Sequence, residues 1–370
     1  MRRGPTGARV TGRRRILALT TDSFGGRGGI AKYARDTIRT MAARPDVAEV
    51  VVLASLVPDQ PGLLPPGVRL IDRSRAGKAG YVAEAARIAL AGGFDAVWIA
   101  HAALAPLGWL AAARSGAKLG ISLHGSEVWS KGRASREWAV ARAYLLMPVS
   151  RVTLNRFVAA RGGHARPFAI LPGTVDLGRF MPGPKPAALV QRYGLGGKRV
   201  MLTVSRVGED QNEKGFARII LQLPRLIKRW PDLVYVIGGG GSERGRIEAI
   251  VAAAGLESRV VITGYIEPAE LADHYRLADA FILPSSGEGL GIVLLEAQAC
   301  GIPTIASSLD GGAEAIAGMG WAVDPHDAAA VEQALGEAFA RSRGRPPGIE
   351  AFAIAAFAFR MNAAVDRLFD

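Results

Sequence analysis

At 370 residues with 49 % hydrophobic side chains, the chain exceeds one ordinary core of roughly 100 to 200 residues and is expected to form two domains. Its one cysteine, Cys300, excludes an internal disulfide, fits a reducing compartment, and in LEAQACGIP reads as part of a packed helix face rather than a reactive thiol. Charge is lopsided: residues 1–183 carry 27 Lys/Arg against 11 Asp/Glu and residues 184–370 carry 19 against 22, so the first half attracts anionic lipid, polyphosphate or nucleic acid, or simply stays soluble.

Residues 1–13 are arginine-rich and hold no apolar run, which predicts a disordered basic tail and excludes a signal peptide or membrane span there. Residues 14–20 read as the first strand, TDSFGGRGG (Thr21–Gly29) as a glycine loop, and Ile30–Ile38 as a helix. In that loop Gly25, Gly26, Gly28 and Gly29 either let backbone approach a phosphate or sugar or form a flexible surface turn. Strands are expected at 48–56 and 94–101, with the turn PDQPG, the basic RSRAGK and a helix at 81–91 between them. The run KLGISLHG (118–125) reads as a buried strand ending on His124. An imidazole at the carboxyl end of a parallel strand faces the crevice where α/β sheets bind ligands, or it is a satisfied structural histidine.

Residues 129–147 interleave Trp129, Lys131, Arg133, Arg136, Trp138 and Arg142 with apolar residues, the composition either of a helix lying on an anionic membrane or of a core helix with a solvated basic face. Strands at 145–150 and 168–173 flank a helix that Ser150 should cap. Three prolines within 182–186 mark a linker. The boundaries expected are a first domain at 14–178, the linker at 179–190, a second domain at 191–347, and a terminal helix at 348–370 crossing back onto the first.

In the second domain the strand KRVMLTVS ends at Arg206, and Lys214 opens the next helix. Both cations can neutralise a diphosphate whose charge grows as a leaving group departs, although Lys214 alone would read as a surface residue. GGGGSE (238–243) follows a strand and precedes a helix, which favours a backbone turn near a ligand over a flexible linker. A strand at 259–265 and a helix at 267–276 come next, with His274 expected at the surface. Asp327 should cap the helix beginning AAAVEQAL. No D-x-D pair or His/Cys cluster has ligand spacing, so metal-independent chemistry is expected.

The densest signal is AFILPSSGEGLGIVLLEAQACGIPT (280–304): strand, glycine turn, helix, strand. Gly289 and Gly291 let backbone approach a ligand where free helical N–H groups favour an anion. If the residues between are helical, Glu288 and Glu296 lie roughly 12 Å apart at 1.5 Å per residue. Two acceptors flanking N–H donors suit a diphosphate with a sugar hydroxyl at either end. Either glutamate alone reads equally well as a solvated surface charge.

EGLGIVLLE resembles the E-x7-E signature of retaining glycosyltransferase family 4, with Ser205-Arg206, Lys214-Gly215, VDLGRF (175–180) and DGGAEAI (310–316) in that family's order. The resemblance implies the GT-B fold: α/β, two doubly wound Rossmann-like domains facing a cleft. It implies a metal-independent transfer of a hexose, mannose among the candidates, from a GDP- or UDP-sugar to a glycan or polyprenyl-diphosphate-linked acceptor, with no cofactor and no nucleic acid. The catalytic set it implies is His124, Glu288, Arg206 and Lys214. Around the donor it implies Gly28, Gly29, Gly289, Leu290, Gly291, Glu296, Tyr265 and Ile266, with Tyr265 and Ile266 beside the base. A cytoplasmic enzyme peripheral on the membrane's inner face is the expected setting. An epimerase or hydrolase on the same fold, or a nucleic-acid-binding protein using the basic half, are the alternatives.

Overall fold

The computed structural model describes residues 13–56, 62–72, 77–163, 166–208 and 214–370. Apart from Arg13 the expected basic tail lies outside them, as do most of PDQPG and RSRAGK and the run EDQNE (209–213).

Twelve strands form two six-stranded sheets. The first holds β1 (Arg14–Asp22), β2 (Val47–Leu56), β3 (Val68–Asp72), β4 (Ala96–Ile99), β5 (Lys118–Leu123) and β6 (Leu145–Pro148) in the order 3-2-1-4-5-6. The second holds β7 (Arg199–Val204), β8 (Leu233–Gly238), β9 (Val260–Gly264), β10 (Ala280–Leu283), β11 (Thr304–Ser307) and β12 (Trp321–Val323) in the order 9-8-7-10-11-12, the same winding repeated. Every neighbouring pair is parallel. Parallel strands covered on both faces read as unbroken apolar runs, which is why VVVLA and LVYVI look as they do. Side chains still alternate: Ile16 and Ala18 enter a core shared by both halves, while Leu17 and Leu19 enter a core on the other face of the first sheet.

In each sheet the order reverses between the first and fourth strands, between β1 and β4 and again between β7 and β10. Such switch points open a crevice at the carboxyl ends of the strands. The chain passes from one half to the other around Thr174–Pro186 and returns near Ala353, where Val175 and Ala353 form an isolated parallel bridge. The last helix, Ile354–Phe369, then lies on the first half, where Phe357, Met361, Val365 and Leu368 are fully buried. Among the described residues no helix is long and apolar enough to cross a membrane.

Several local expectations need correction. The stretch 129–147 is not one helix: Ser126–Trp129 and Ala134–Val140 are short helices, and the chain then turns into β6. Two of its arginines are engaged: Arg136 pairs with Glu137, and Arg142 covers the Trp138 ring at 4.0 Å. Residues 168–173 are extended but contribute only a bridge from Phe168 to Leu146. The edge strand β3 and the helix Ala105–Ser115 were not expected. His274 is buried, not at the surface, and its ring nitrogens meet the Glu270 carbonyl and the Tyr193 hydroxyl. Ser150 and Asp327 do cap their helices.

Candidate active site

The turn between β10 and the helix Ile292–Ala299 is built around one buried carboxylate. Asp310 accepts the Ser285 hydroxyl and the Glu288 N–H, both at 2.9 Å, on Oδ2, and the Gly312 N–H at 2.9 Å on Oδ1. The Gly311 N–H closes the ring on the Glu288 carbonyl at 2.9 Å. Burial pushes the Asp310 carboxyl up to about 6 despite these donors. Glu288, held by its own backbone, points its side chain at Lys214, Oε1 to Nζ 2.5 Å. Gly291 at φ 82° starts the helix with no side-chain cap and no acidic residue in the first turn, which leaves its amino end open to an anion.

The helix begins only at Ile292, so the 12 Å separation expected from helix throughout 288–296 does not hold. Glu296, in its second turn, is buried, accepts the Tyr275 hydroxyl at 2.7 Å on Oε2, and has its pKa raised by that burial. It opens instead onto a groove of about 1060 Å³ shared with Lys32, Asp36 and Thr174 from the first half.

Arg206 follows β7 and is exposed, with no ion pair among the described residues. Its segment is fixed by the glycine run. A Cβ on Gly239 would fall 1.8 Å from the Ser205 carbonyl oxygen, and one on Gly241 1.7 Å from that of Val207. Gly239 and Gly241 are therefore required for backbone to pack on backbone beside Arg206. Tyr265 is exposed and Ile266 buried.

The first half presents its own strand ends. The His124 N–H donates to Glu127 Oε1 at 2.6 Å, and the ring lies edge-on to Tyr33 with centroids 5.0 Å apart. His124 Nε2 sits 2.7 Å from the Ala100 carbonyl. A carbonyl only accepts, so Nε2 carries the proton and Nδ1 is left as an acceptor. Burial lowers the His124 pKa, which keeps the ring neutral. Sequence reasoning missed two neighbours. His101, after β4, accepts the Ala103 N–H on Nδ1 and is also shifted down by burial. Asp22, at the end of β1, has a buried Oδ1 with no hydrogen-bond partner among the described residues and a pKa raised by burial. Their signal was position alone, since both close strands at the switch point.

The halves meet at glycines. A Cβ on Gly289 would fall 1.5 Å from the His124 carbonyl oxygen, and one on Gly125 would lie 3.0 Å from the Gly289 backbone. A Cβ on Gly29 would lie 3.6 Å from Ile292. The Arg27 guanidinium covers the Tyr265 ring at 4.4 Å. Thus His124, Gly28–Gly29 and the Glu288–Gly291 turn share one cleft, with Lys214 paired inside it, while Glu296 faces a neighbouring groove.

Residues 27–179 match the family described as Glycosyltransferase Family 4, and residues 198–341 the one described as Glycosyl transferases group 1. A GDP-mannose-dependent alpha-(1-6)-phosphatidylinositol monomannoside mannosyltransferase of Mycolicibacterium smegmatis is 37 % identical over 265 residues, 67 % of this chain and 68 % of that protein. The chain belongs to glycosyltransferase family 4. A Corynebacterium glutamicum relative, named as a GDP-mannose-dependent monoacylated alpha-(1-6)-phosphatidylinositol monomannoside mannosyltransferase, is 30 % identical to this family 4 chain over 82 % of each sequence. Solved structures share the GT-B fold. Sucrose-phosphate synthase of Thermosynechococcus elongatus superposes with a TM-score of 0.78 at 22 % identity, over 96 % of this chain and 99 % of that one. Anabaena HepE, solved with UDP and glucose, does so with 0.74 at 18 %, over 96 % and 100 %. This family 4 protein is accordingly a glycosyltransferase, a transferase of hexose.

Proposed function

We propose that this glycosyltransferase moves mannose from GDP-mannose, with retention and without a metal ion, onto an inositol-phosphate lipid at the membrane's cytoplasmic face. The observation that carries the reading is the cleft in which the Lys214–Glu288 pair and the uncapped amino end of Ile292–Ala299 lie against the His124–Gly125 backbone. Cations and free N–H groups there suit a diphosphate, and Glu288 and His124 Nδ1 are acceptors for sugar hydroxyls. The names of the two mannosyltransferase relatives support the sugar, the base and the lipid.

In this reading the acceptor oxygen bonds to the anomeric carbon as the bond from that carbon to the phosphate oxygen breaks. The pair of electrons leaves with the diphosphate, which takes the acceptor's proton on the same face. Arg206 and Lys214 stabilise the charge that develops on it, so the chain supplies by its own cations what a metal would otherwise supply. Tyr265 with Ile266 borders the base. The residue ranges 14–178 and 191–347 act as acceptor and donor domains. Support for membrane attachment is the basic first half.

Melting temperature measured against GDP-, UDP-, dTDP- and ADP-sugars tests the donor, because a ligand bound only to the folded state raises it. A shift confined to GDP-mannose is expected, and a shift with UDP-sugars alone would overturn the base. An inverted anomer in the product by NMR would overturn retention, and consumption of donor without any acceptor would favour a hydrolase. A second acceptor class has its own support: a D-inositol 3-phosphate glycosyltransferase of Xylanimonas cellulosilytica is 28 % identical over 86 % of this chain. Turnover of soluble inositol phosphate in preference to lipid vesicles would decide for it.

A further inference from the structure

Residues 309–314 touch both halves. On one side they hold the Glu288 turn: the Asp310 carboxylate takes the Glu288 N–H, the Gly311 N–H donates to the Glu288 carbonyl, and a Cβ on Gly311 would fall 1.9 Å from the Gly289 carbonyl oxygen. On the other side the Glu314 carboxylate accepts the N–H groups of Arg151 at 2.8 Å and Val152 at 2.6 Å. These open the helix Arg151–Ala160 of the first half, and the Ser150 hydroxyl takes the next free donor, on Thr153. One turn further along, Arg156 Nη2 donates to the Leu309 carbonyl at 2.6 Å.

We propose that Glu314 is a positioning residue for sugar transfer, a latch that locks the first half against the Glu288 turn when the cleft closes. A carboxylate at a helix's positive end makes charge-assisted bonds, yet each N–H and each carboxylate oxygen finds water when the halves part. The net gain is therefore modest, which suits a contact that must form and release on every turnover. Because Asp310 and Glu314 share one short segment, gripping the helix and setting the Glu288 turn are one movement. The inference rests on the donor site lying at that turn.

The test uses the full chain, comparing wild type with Glu314→Ala and Glu314→Gln. In Glu314→Ala, kcat/KM for the acceptor should fall by about 10- to 100-fold, the loss expected for two such bonds. GDP affinity by calorimetry should stay within about two-fold, because nucleotide contacts lie in the second half. Small-angle scattering should show a larger radius of gyration for the GDP-loaded variant than for GDP-loaded wild type. Glu314→Gln keeps one acceptor oxygen and should recover part of both losses. Unchanged turnover and compactness would overturn the latch. So would a fall in GDP affinity and melting temperature that tracks the loss of rate, which marks a residue needed only for folding. If wild type turns over no nucleotide sugar, the reading of the reaction fails instead, and scattering alone then judges the latch.

Discussion

Replacing Asp310 by Asn should leave the protein about as stable or more stable at pH 7, and less active. The carboxyl is buried and titrates at about 6 against an ordinary value of 3.8. Below pH 3.8 the group is protonated in both folded and unfolded chains and costs nothing. As pH rises toward 6 the unfolded chain releases its proton while the folded one keeps it, so stability falls. Above 6 the loss is complete, and a rise of about two pH units corresponds to roughly 3 kcal/mol. Asn removes that cost. It also cannot accept the Ser285, Glu288 and Gly312 donors as a carboxylate does, and one poorly satisfied donor costs about 1 to 3 kcal/mol at every pH. Urea unfolding of both proteins between pH 4 and 7.5 isolates the carboxyl, because other groups cancel in the difference. Relative to wild type, the Asn variant should gain roughly 3 kcal/mol across that range. Its kcat should drop about tenfold or more, since the Glu288 turn loses its anchor. A stability difference that does not change with pH would refute the argument, and undiminished kcat would show that Asp310 does not hold the turn.

Lys214→Ala strands Glu288 without its cation and removes charge from the leaving diphosphate, so steady-state assays should show kcat reduced by roughly 100- to 1000-fold. Gly289→Ala places a methyl 1.5 Å from the His124 carbonyl oxygen, so the halves must separate locally; kcat/KM should fall by at least about tenfold, and wild-type kinetics would refute the close contact. Tyr275→Phe removes the hydroxyl bound to buried Glu296, and urea unfolding should show a loss of about 1 to 3 kcal/mol.

The fold was readable where burial on both faces leaves continuous apolar runs, as in AFIL and LVYVI, each followed by a glycine turn and a helix. It was not readable at the sheet edge, where Val68–Asp72 is half-exposed and mixes Arg69 and Asp72 with three apolar residues. Nor was it readable in Ala105–Ser115, whose small residues give no strong apolar stripe. There Gly108 brings the helix close to β4, since a Cβ would fall 2.6 Å from Ile99. The Glu288 turn and Lys214 stood out by spacing and flanks. Asp310 stood inside the DGGAEAI motif, but its work is to accept the Ser285 hydroxyl 25 residues upstream, the Glu288 N–H 22 residues upstream and the nearby Gly312 N–H, and such bonding leaves no periodicity. The spacing of roughly 12 Å between Glu288 and Glu296 failed because Glu288–Gly291 is a turn and the helix begins only at Ile292, and counting along the chain does not say which neighbour that helix turns Glu296 toward.

The helix Ile354–Phe369 has a consequence for synthesis. Leu368 packs where a Cβ on Gly120 would meet it at 3.1 Å, Asp366 pairs with Arg44, and the Phe369 ring lies under Arg14. The first sheet leaves the ribosome first, and the helix Gly29–Ala42 covers part of one face, but the part around Gly120 and Leu145–Pro148 stays uncovered until residues 354–369 emerge. The second half must therefore be made, and can fold, while the first waits with apolar surface exposed. Nascent chains stalled just short of residue 354 would carry a folded second half beside an aggregation-prone first half, the reverse of the usual order in which amino-terminal domains finish first.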